Sequence, residues 1–269
     1  MIEKLFIPTL GRSDKQITYQ NLSNKWKEKV VFVICEKEKD LEFFKDKQCL
    51  ITENNIGIAK TRYQIVKAVQ NENIKYGVLD DDLKFYIRKD LNKTTKVKMS
   101  DEDFEEAMIL ISSYLDEENV VCAGLDTCIS PPTLGISDNE CCRPLANVFY
   151  NSKTLPVDSI NWLDFSISED FWVMLQLLNL GLKNKITCKY YANSGASQKE
   201  GGCAEYRTLE KHNESFYKLK EKFPKYVTLK EKIINSGGFA NIPQVKGIIF
   251  WKKLYNDAIK RKRQQELFS

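Results

Sequence analysis

The chain has 269 residues, of which 42% are apolar and 29% charged, with a formal net charge of +4. Those proportions suit a folded globular protein and exclude a disordered or fibrous chain, and no run of eighteen apolar residues suggests a membrane-spanning helix. The charge is uneven, because residues 204–269 hold 15 Lys and Arg against 7 Asp and Glu, leaving 26 against 30 for residues 1–203. A basic end on an acidic body fits either a polyanionic partner or a solvated helical terminus.

In chain order, Glu3–Pro8 reads as an apolar strand followed by a turn at Thr9-Leu10-Gly11-Arg12. The start lacks the basic segment, apolar run and cleavage site of a signal peptide, so a cytoplasmic protein is expected. Ser13 or Asp14 can cap a helix running toward Trp26. Val30–Cys35 is a continuous, β-branched apolar run, as a parallel strand buried on both faces requires. From Gly57 to about Val69, Ile58, Ile65, Val66 and Val69 fall at helical spacing. Tyr76–Leu79 is a short buried strand that stops at three aspartates. Ser100 opens an acidic helix that continues to about Leu115. Strand-like pieces occupy Val120–Tyr150, followed by a helix from Ser168 to Leu180 stopped by Gly181, and a strand from Ile186 to Tyr191. The last sixty residues read as helical and basic. Strands alternating with helices predict an α/β fold with a mostly parallel sheet covered on both faces.

Eight cysteines, at 35, 49, 122, 128, 141, 142, 188 and 203, include no C-x-x-C pair. Without a secretion signal they read as reduced, buried thiols, with a zinc site from Cys122, Cys128, Cys141 and Cys142 as the alternative. The only histidine, His212, lies in a polar stretch and is expected at the surface. No Gly-x-x-x-x-Gly-Lys loop, Gly-x-Gly-x-x-Gly turn or Gly-x-Ser-x-Gly elbow occurs, which argues against ATPase, dinucleotide and hydrolase chemistry.

Asp80-Asp81-Asp82 carries the sharpest chemical signal. Ligands of open α/β sheets gather at the carboxyl ends of strands. In extended backbone Asp80 and Asp82 project to one side and Asp81 to the other. Three adjacent carboxylates need a compensating charge, and a hard divalent cation shared with diphosphate oxygens supplies one; a solvated acidic turn is the plain alternative.

Together these segments resemble the GT-A glycosyltransferases. Ile7-Pro8-Thr9-Leu10-Gly11-Arg12 is similar to their opening strand and loop, Glu36 to their acidic nucleoside contact, and Asn55–Arg62 to their Gly-x-Ala-x-x-Arg helix start. Tyr76–Asp82 resembles the strand ending in Asp-x-Asp, and Ser168-Glu169-Asp170-Phe171-Trp172 the Glu-Asp pair of inverting members. The resemblance implies a UDP-sugar donor held by Pro8, Thr9, Gly11, Arg12, Glu36, Lys60, Arg62, Asp80 and Asp81, and Mn²⁺ or Mg²⁺ on Asp82 and Asp80. It implies Asp170 as the base that deprotonates the acceptor, an inverting reaction, and an acceptor side of Glu169, Arg143, Trp162, Gly201, Gly202 and Arg207. Read without it, Glu169 and Asp170 are first-turn helix stabilisers.

The polar, glycine-rich segment 194–207 followed by the basic tail resembles the phage TET-associated glycosyltransferases that modify hydroxymethylated bases in DNA. That likeness implies a GT-A domain over residues 1–203, with a donor half (1–95) and an acceptor half (96–203), and a basic helical elaboration over 204–269. The implied reaction moves a sugar from a UDP-sugar to a hydroxymethylated pyrimidine, or to a sugar already on it, in phage DNA. Modified DNA is then the partner, with neither a membrane nor an obligate protein partner expected. Two alternatives stay open: a GT-A enzyme acting on a glycan or small molecule, and a non-catalytic nucleic-acid-binding protein with a vestigial fold.

Overall fold

The structure is a computed structural model that describes residues 1–127, 134–194, 207–235 and 239–268. Its centre is a ten-stranded sheet flanked by helices, in the α/β class expected from the sequence. Strands β1 (Ile2–Pro8), β2 (Val30–Cys35), β3 (Cys49–Thr52) and β4 (Lys75–Leu79) form a parallel block in the order β3-β2-β1-β4. Beyond β4 the order continues through β9 (Asn147–Asn151), β7 (Val120–Thr127), β10 (Lys183–Asn193), β5 (Lys84–Ile87) and β6 (Val97–Lys98), with β8 (Asp138–Glu140) paired to β10. In this second half only β7 and β10 run parallel.

The strand period of two divides the core between the faces. Leu5, Ile7, Phe32 and Ile34 pack on one side with α4 (Asp101–Tyr114) and Trp26; Phe6, Val33 and Val78 face the other. On that second side lie α3 (Gly57–Val69) and α5 (Glu169–Asn179). Helix α4 starts at a full capping box, Ser100 and Asp103 each satisfying the other's backbone N–H.

Two expectations are corrected. No continuous helix runs from Ser13 or Asp14 to Trp26; the segment forms single helical pieces, α1 (Ile17–Gln20) and α2 (Asn24–Lys27). Its polar side chains brace the neighbouring loop and the distant Asp80–Leu83 turn instead, with Gln16 donating to Thr9 Oγ1 at 2.9 Å and to the Arg12 carbonyl at 2.7 Å, and Thr18 accepting from the Leu83 N–H at 2.8 Å. The basic end is also not all helix. Between α6 (Leu209–Lys222) and α7 (Trp251–Phe268) stands an antiparallel hairpin of β11 (Val227–Ile233) and β12 (Pro243–Ile249). Alternation puts Val227, Leu229, Val245 and Gly247 on one face, and Gly247 is required there: a Cβ would sit 2.6 Å from the Phe216 ring. Phe216, Leu219, Val227, Val245 and Leu254 join the same apolar cluster as Phe6, Trp172 and Leu175.

Candidate active site

The aspartates lie where β4 ends, and each is handled differently. Asp81 is buried, accepting from Thr9 Oγ1 at 2.8 Å and pairing with Arg12 at 2.9 Å. Asp80 lies 3.4 Å from Arg62, while its backbone N–H donates to the Ala146 carbonyl at 2.9 Å. The strand ends at Leu79 and the backbone turns at Asp81 and Asp82, so it is the turn that sends Asp80 and Asp81 to different partners. Thr18 clasps the turn: its hydroxyl donates to the Asp80 carbonyl and accepts from the Leu83 N–H at 2.8 Å, and its N–H donates to the Asp81 carbonyl at 3.0 Å.

Arg62, one turn into α3, joins the two carboxylate centres. It stands 3.4 Å from Asp80 and 3.0 Å from Glu169 at the start of α5. Burial disfavours its cation, yet Glu169, Asp80 and Asp170 outweigh that and raise its pKa above the usual guanidinium value. Burial raises the Glu169 carboxyl, Arg62 opposes that rise, and neighbouring Asp170 adds to it. Desolvation raises Asp80 to about 6, with Arg62 pulling it down and Asp82, Asp81 and Glu169 pushing it up. The Asp80 side chain is still 40% exposed, so solvent tempers the rise.

Asp170 faces a second arginine. Arg143 reaches its Oδ2 with Nε at 2.7 Å and a terminal nitrogen at 2.6 Å, while Oδ1 accepts the Phe171 N–H at 2.9 Å. The Arg143 guanidinium lies 3.9 Å from the Phe171 ring, which stacks in turn on Trp251 of α7 at 5.9 Å. Ala59, Arg62, Val148, Tyr150, Glu169, Asp170 and Val173 line the cleft between α3, β9 and α5. Two of its margins hold non-glycine residues with left-handed backbone, Ala146 (φ 60) and Ser168 (φ 61), a costly conformation that concentrates at functional sites.

Several expected residues are placed elsewhere. Glu36 is exposed and pairs with Lys39 at 2.6 Å; Glu38 is the buried acid, accepting the Gly11 N–H at 2.7 Å and the Cys35 thiol at 3.0 Å. Lys60 turns to Glu53 at 2.9 Å rather than toward Asp80. Trp162 borders the cleft but is buried, its indole N–H spent on the Val157 carbonyl at 3.1 Å. Glu169, expected on the acceptor side, binds Arg62 and so belongs equally to the Asp80 side. Pro8 ends β1 opposite Val33, one residue before Thr9. Arg207 lies close enough to Glu169 to lower its pKa, whereas Gly201 and Gly202 fall outside the described residues.

His212 is not a surface histidine. It is half-buried on α6, its Nε2 3.1 Å from the Val245 carbonyl, and burial followed by nearby Lys246 lowers it to about 4. Cys35, Cys122, Cys141, Cys142 and Cys188 are free thiols raised by burial. Cys128, one ligand of the alternative zinc set, and Cys203 lie outside the described residues.

Among the described residues no three His, Cys, Asp or Glu side chains converge as a ready-made metal cage. Asp80 with neighbouring Asp82 does fit a cation of another type. Mg²⁺ in nucleotide sites takes one or two carboxylates and completes its shell with water and substrate phosphates. The upward push of Asp82 on Asp80 is the charge excess such a cation relieves. None of the described helices is long and apolar enough to cross a membrane.

A family profile described as "TET-Associated Glycosyltransferase" matches residues 3–202. Two curated relatives, each named "Beta-glucosyl-HMC-alpha-glucosyl-transferase", come from Enterobacteria phages T2 and T6. Each is 31% identical over 78 residues, covering 29% of this chain and 28% of the relative, so the match spans under a third of their length. Among solved structures, S. aureus TarS 1-349 is similar at TM-score 0.44 and 16% identity, over 72% of this chain and 60% of that one. Mannose-1-phosphate geranyltransferase from Thermus thermophilus gives TM-score 0.45 and 11% identity, over 70% and 74%. Neither structural likeness carries functional weight at that level.

Proposed function

The chain belongs to the TET-associated glycosyltransferase family, and on that premise we propose that it moves a sugar from a UDP-sugar to a hydroxymethylated pyrimidine, or to a sugar already on it, in DNA. One observation carries the reading: Arg62 ties Asp80, at the end of β4, to Glu169, the neighbour of Asp170 at the start of α5, so the donor-type aspartate and the base-type pair stand on either side of one arginine. The names of the T2 and T6 relatives support a base-linked acceptor.

In this reading Thr9, Arg12 and Thr18 hold the aspartate turn rigid, and Asp80 and Asp82 are the residues that would hold Mg²⁺ or Mn²⁺. When bound, the cation would offset the negative charge that grows on the departing diphosphate. The acceptor oxygen attacks the anomeric carbon from the face opposite the diphosphate, the carbon–diphosphate bond breaks, and the acceptor proton passes to Asp170. Arg143, with Nε and a terminal nitrogen on Oδ2, holds the Asp170 carboxylate in place to accept that proton. Attack on the opposite face inverts the anomeric centre.

The test incubates the full chain with a panel of UDP-sugars and with hydroxymethylated or unmodified duplex DNA, then digests to nucleosides for mass spectrometry. A sugar mass on the hydroxymethylated nucleoside alone, lost in chelator or in Asp82→Asn and restored to the wild type by Mn²⁺ or Mg²⁺, is the expected result. Undiminished transfer in chelator removes the metal from the reading. Transfer to free sugars but never to DNA removes the acceptor. A product with the donor's own anomeric configuration removes the inverting role of Asp170.

A further inference from the structure

Three cations from separate parts of the chain lie near one another, one of them on Asp170. Arg143 precedes β9, Arg207 precedes α6, and Lys246 lies in β12. Arg143 has Asp170 as its counterion. Among the described residues, Arg207 and Lys246 pair with no carboxylate. Lys246 is half-buried, and its pKa is lowered first by desolvation and then by the charges of Arg143 and Arg207. Across the hairpin its register partner is another lysine, Lys230. Like charges directly opposite one another weaken a strand pair, so this arrangement costs stability where it stands.

The strand that carries Lys246 is nonetheless fixed. On the outer edge of β12 the Val245 N–H donates to Asn213 Oδ1 at 2.9 Å, and the Val245 carbonyl lies 3.1 Å from His212 Nε2. Ser215, also on α6, stands 2.9 Å from Ser168, the residue that precedes Glu169. A continuous set of contacts therefore runs from the start of α5 through α6 to Lys246. Arg143 keeps Asp170 and Arg207 acts on Glu169, whereas Lys246, on a braced strand and repelled by both arginines, pairs with no carboxylate among the described residues; such a group of donors suits a phosphate, which accepts hydrogen bonds from several donors at once.

We propose that Lys246, together with Arg143 and Arg207, seats one phosphate group of the DNA strand that carries the acceptor base, and so makes the hairpin part of the acceptor site. This rests on the DNA reading above. The other source of the same chemistry is the donor diphosphate. The backbone phosphate is favoured because Arg143 binds Asp170 and Arg207 acts on Glu169, both at the start of α5, whereas the basic group beside Asp80 is Arg62.

Binding of the full chain to duplex DNA, unmodified and hydroxymethylated, is measured by fluorescence anisotropy over a salt series, with UDP affinity measured in parallel. Lys246→Gln is expected to weaken DNA binding several-fold and to flatten the slope of log affinity against log salt by about 0.9, the value for one phosphate contact. Lys246→Arg retains most of the affinity, and Lys230→Gln, which removes the same charge from the opposite strand, changes it little. Equal losses in Lys246→Gln and Lys230→Gln indicate a diffuse positive field and overturn the seat. So does unchanged DNA affinity in Lys246→Gln, a loss confined to UDP, or a wild type that binds no DNA. If Lys246→Gln weakens DNA binding as expected while no sugar transfer to DNA is found, the seat stands and the proposed reaction falls.

Discussion

Asp170 is held by two N–H groups of Arg143 and by the Phe171 backbone before any acceptor arrives, so the carboxylate needs little rearrangement to receive a proton. Asp170→Asn keeps the size but not the basicity, and kcat is expected to fall by about 10²–10⁴. Donor affinity, read by UDP titration, should stay near the wild-type value; a collapse of donor binding with kcat preserved would place Asp170 in the helix cap instead. His212 makes a separate prediction from its pH behaviour. Its folded-state pKa is depressed to about 4 from 6.5, so the unfolded chain binds the extra proton first as pH falls. The stability that neutral His212 contributes is complete above about 6.5 and lost as pH falls through about 4. Denaturant titrations from acid to neutral pH should show a shallower decline across that window in His212→Gln. An equal slope in both proteins removes His212 as the source. The carboxylates were legible in the sequence because Asp80–Asp82 ends an apolar strand and Glu169–Asp170 opens an apolar helix. Glu38 and Thr18 were not, since only the folded loops bring them to Gly11 and to the aspartate turn.

At the scale of elements, legibility followed the strength of local periodicity. Helices α3 and α4 and strands β1, β2 and β4 have uninterrupted apolar patterns and lie where those patterns put them. The β11–β12 hairpin was hidden because five of its fourteen residues are charged or glycine on faces that sheet pairing, not helical spacing, explains. Strand β4 also bears a tight constraint behind the aspartates. A Cβ on Gly77 would lie 2.5 and 2.7 Å from atoms of the buried Phe149 ring and 3.0 Å from Leu5. Gly77→Ala is therefore expected to cost about 1–3 kcal/mol by overpacking, visible as a lower denaturation midpoint. An unchanged midpoint would mean that β9 yields freely. The basic group at the end of α7 has a structural share too. Arg261 donates to Asn179 Oδ1 at 2.7 Å, and the Lys262 stem passes within 3.2 Å of where a Gly181 side chain would start. Both cations thus sit at the carboxyl end of α5, where the helix dipole favours positive charge. Replacing Lys260, Arg261, Lys262 and Arg263 by Ser tests docking of α7 as well as any contact with DNA.

Over the whole molecule, the basic end and the sheet share one apolar interior. Leu219, Val227, Val245 and Leu254 bury against the same cluster as Trp172 and Leu175, and Trp251 covers Phe171 beside the proposed base. A chain cut after residue 208 would open that interior to water. It is expected to aggregate, or to bind a hydrophobic dye strongly, in size-exclusion and fluorescence assays. A well-behaved monomer from that truncation would show the sheet to be self-sufficient. The shared interior also sets an order of events during synthesis. Phe171 leaves the ribosome about 80 residues before Trp251, and at roughly 5–20 residues per second that gap lasts several seconds. Throughout it the face of α5 that bears Phe171 and Trp172 lacks its final cover. Rapid translation or a chaperone that holds this face would shorten or shield the interval, and slow codons between residues 180 and 250 would lengthen it.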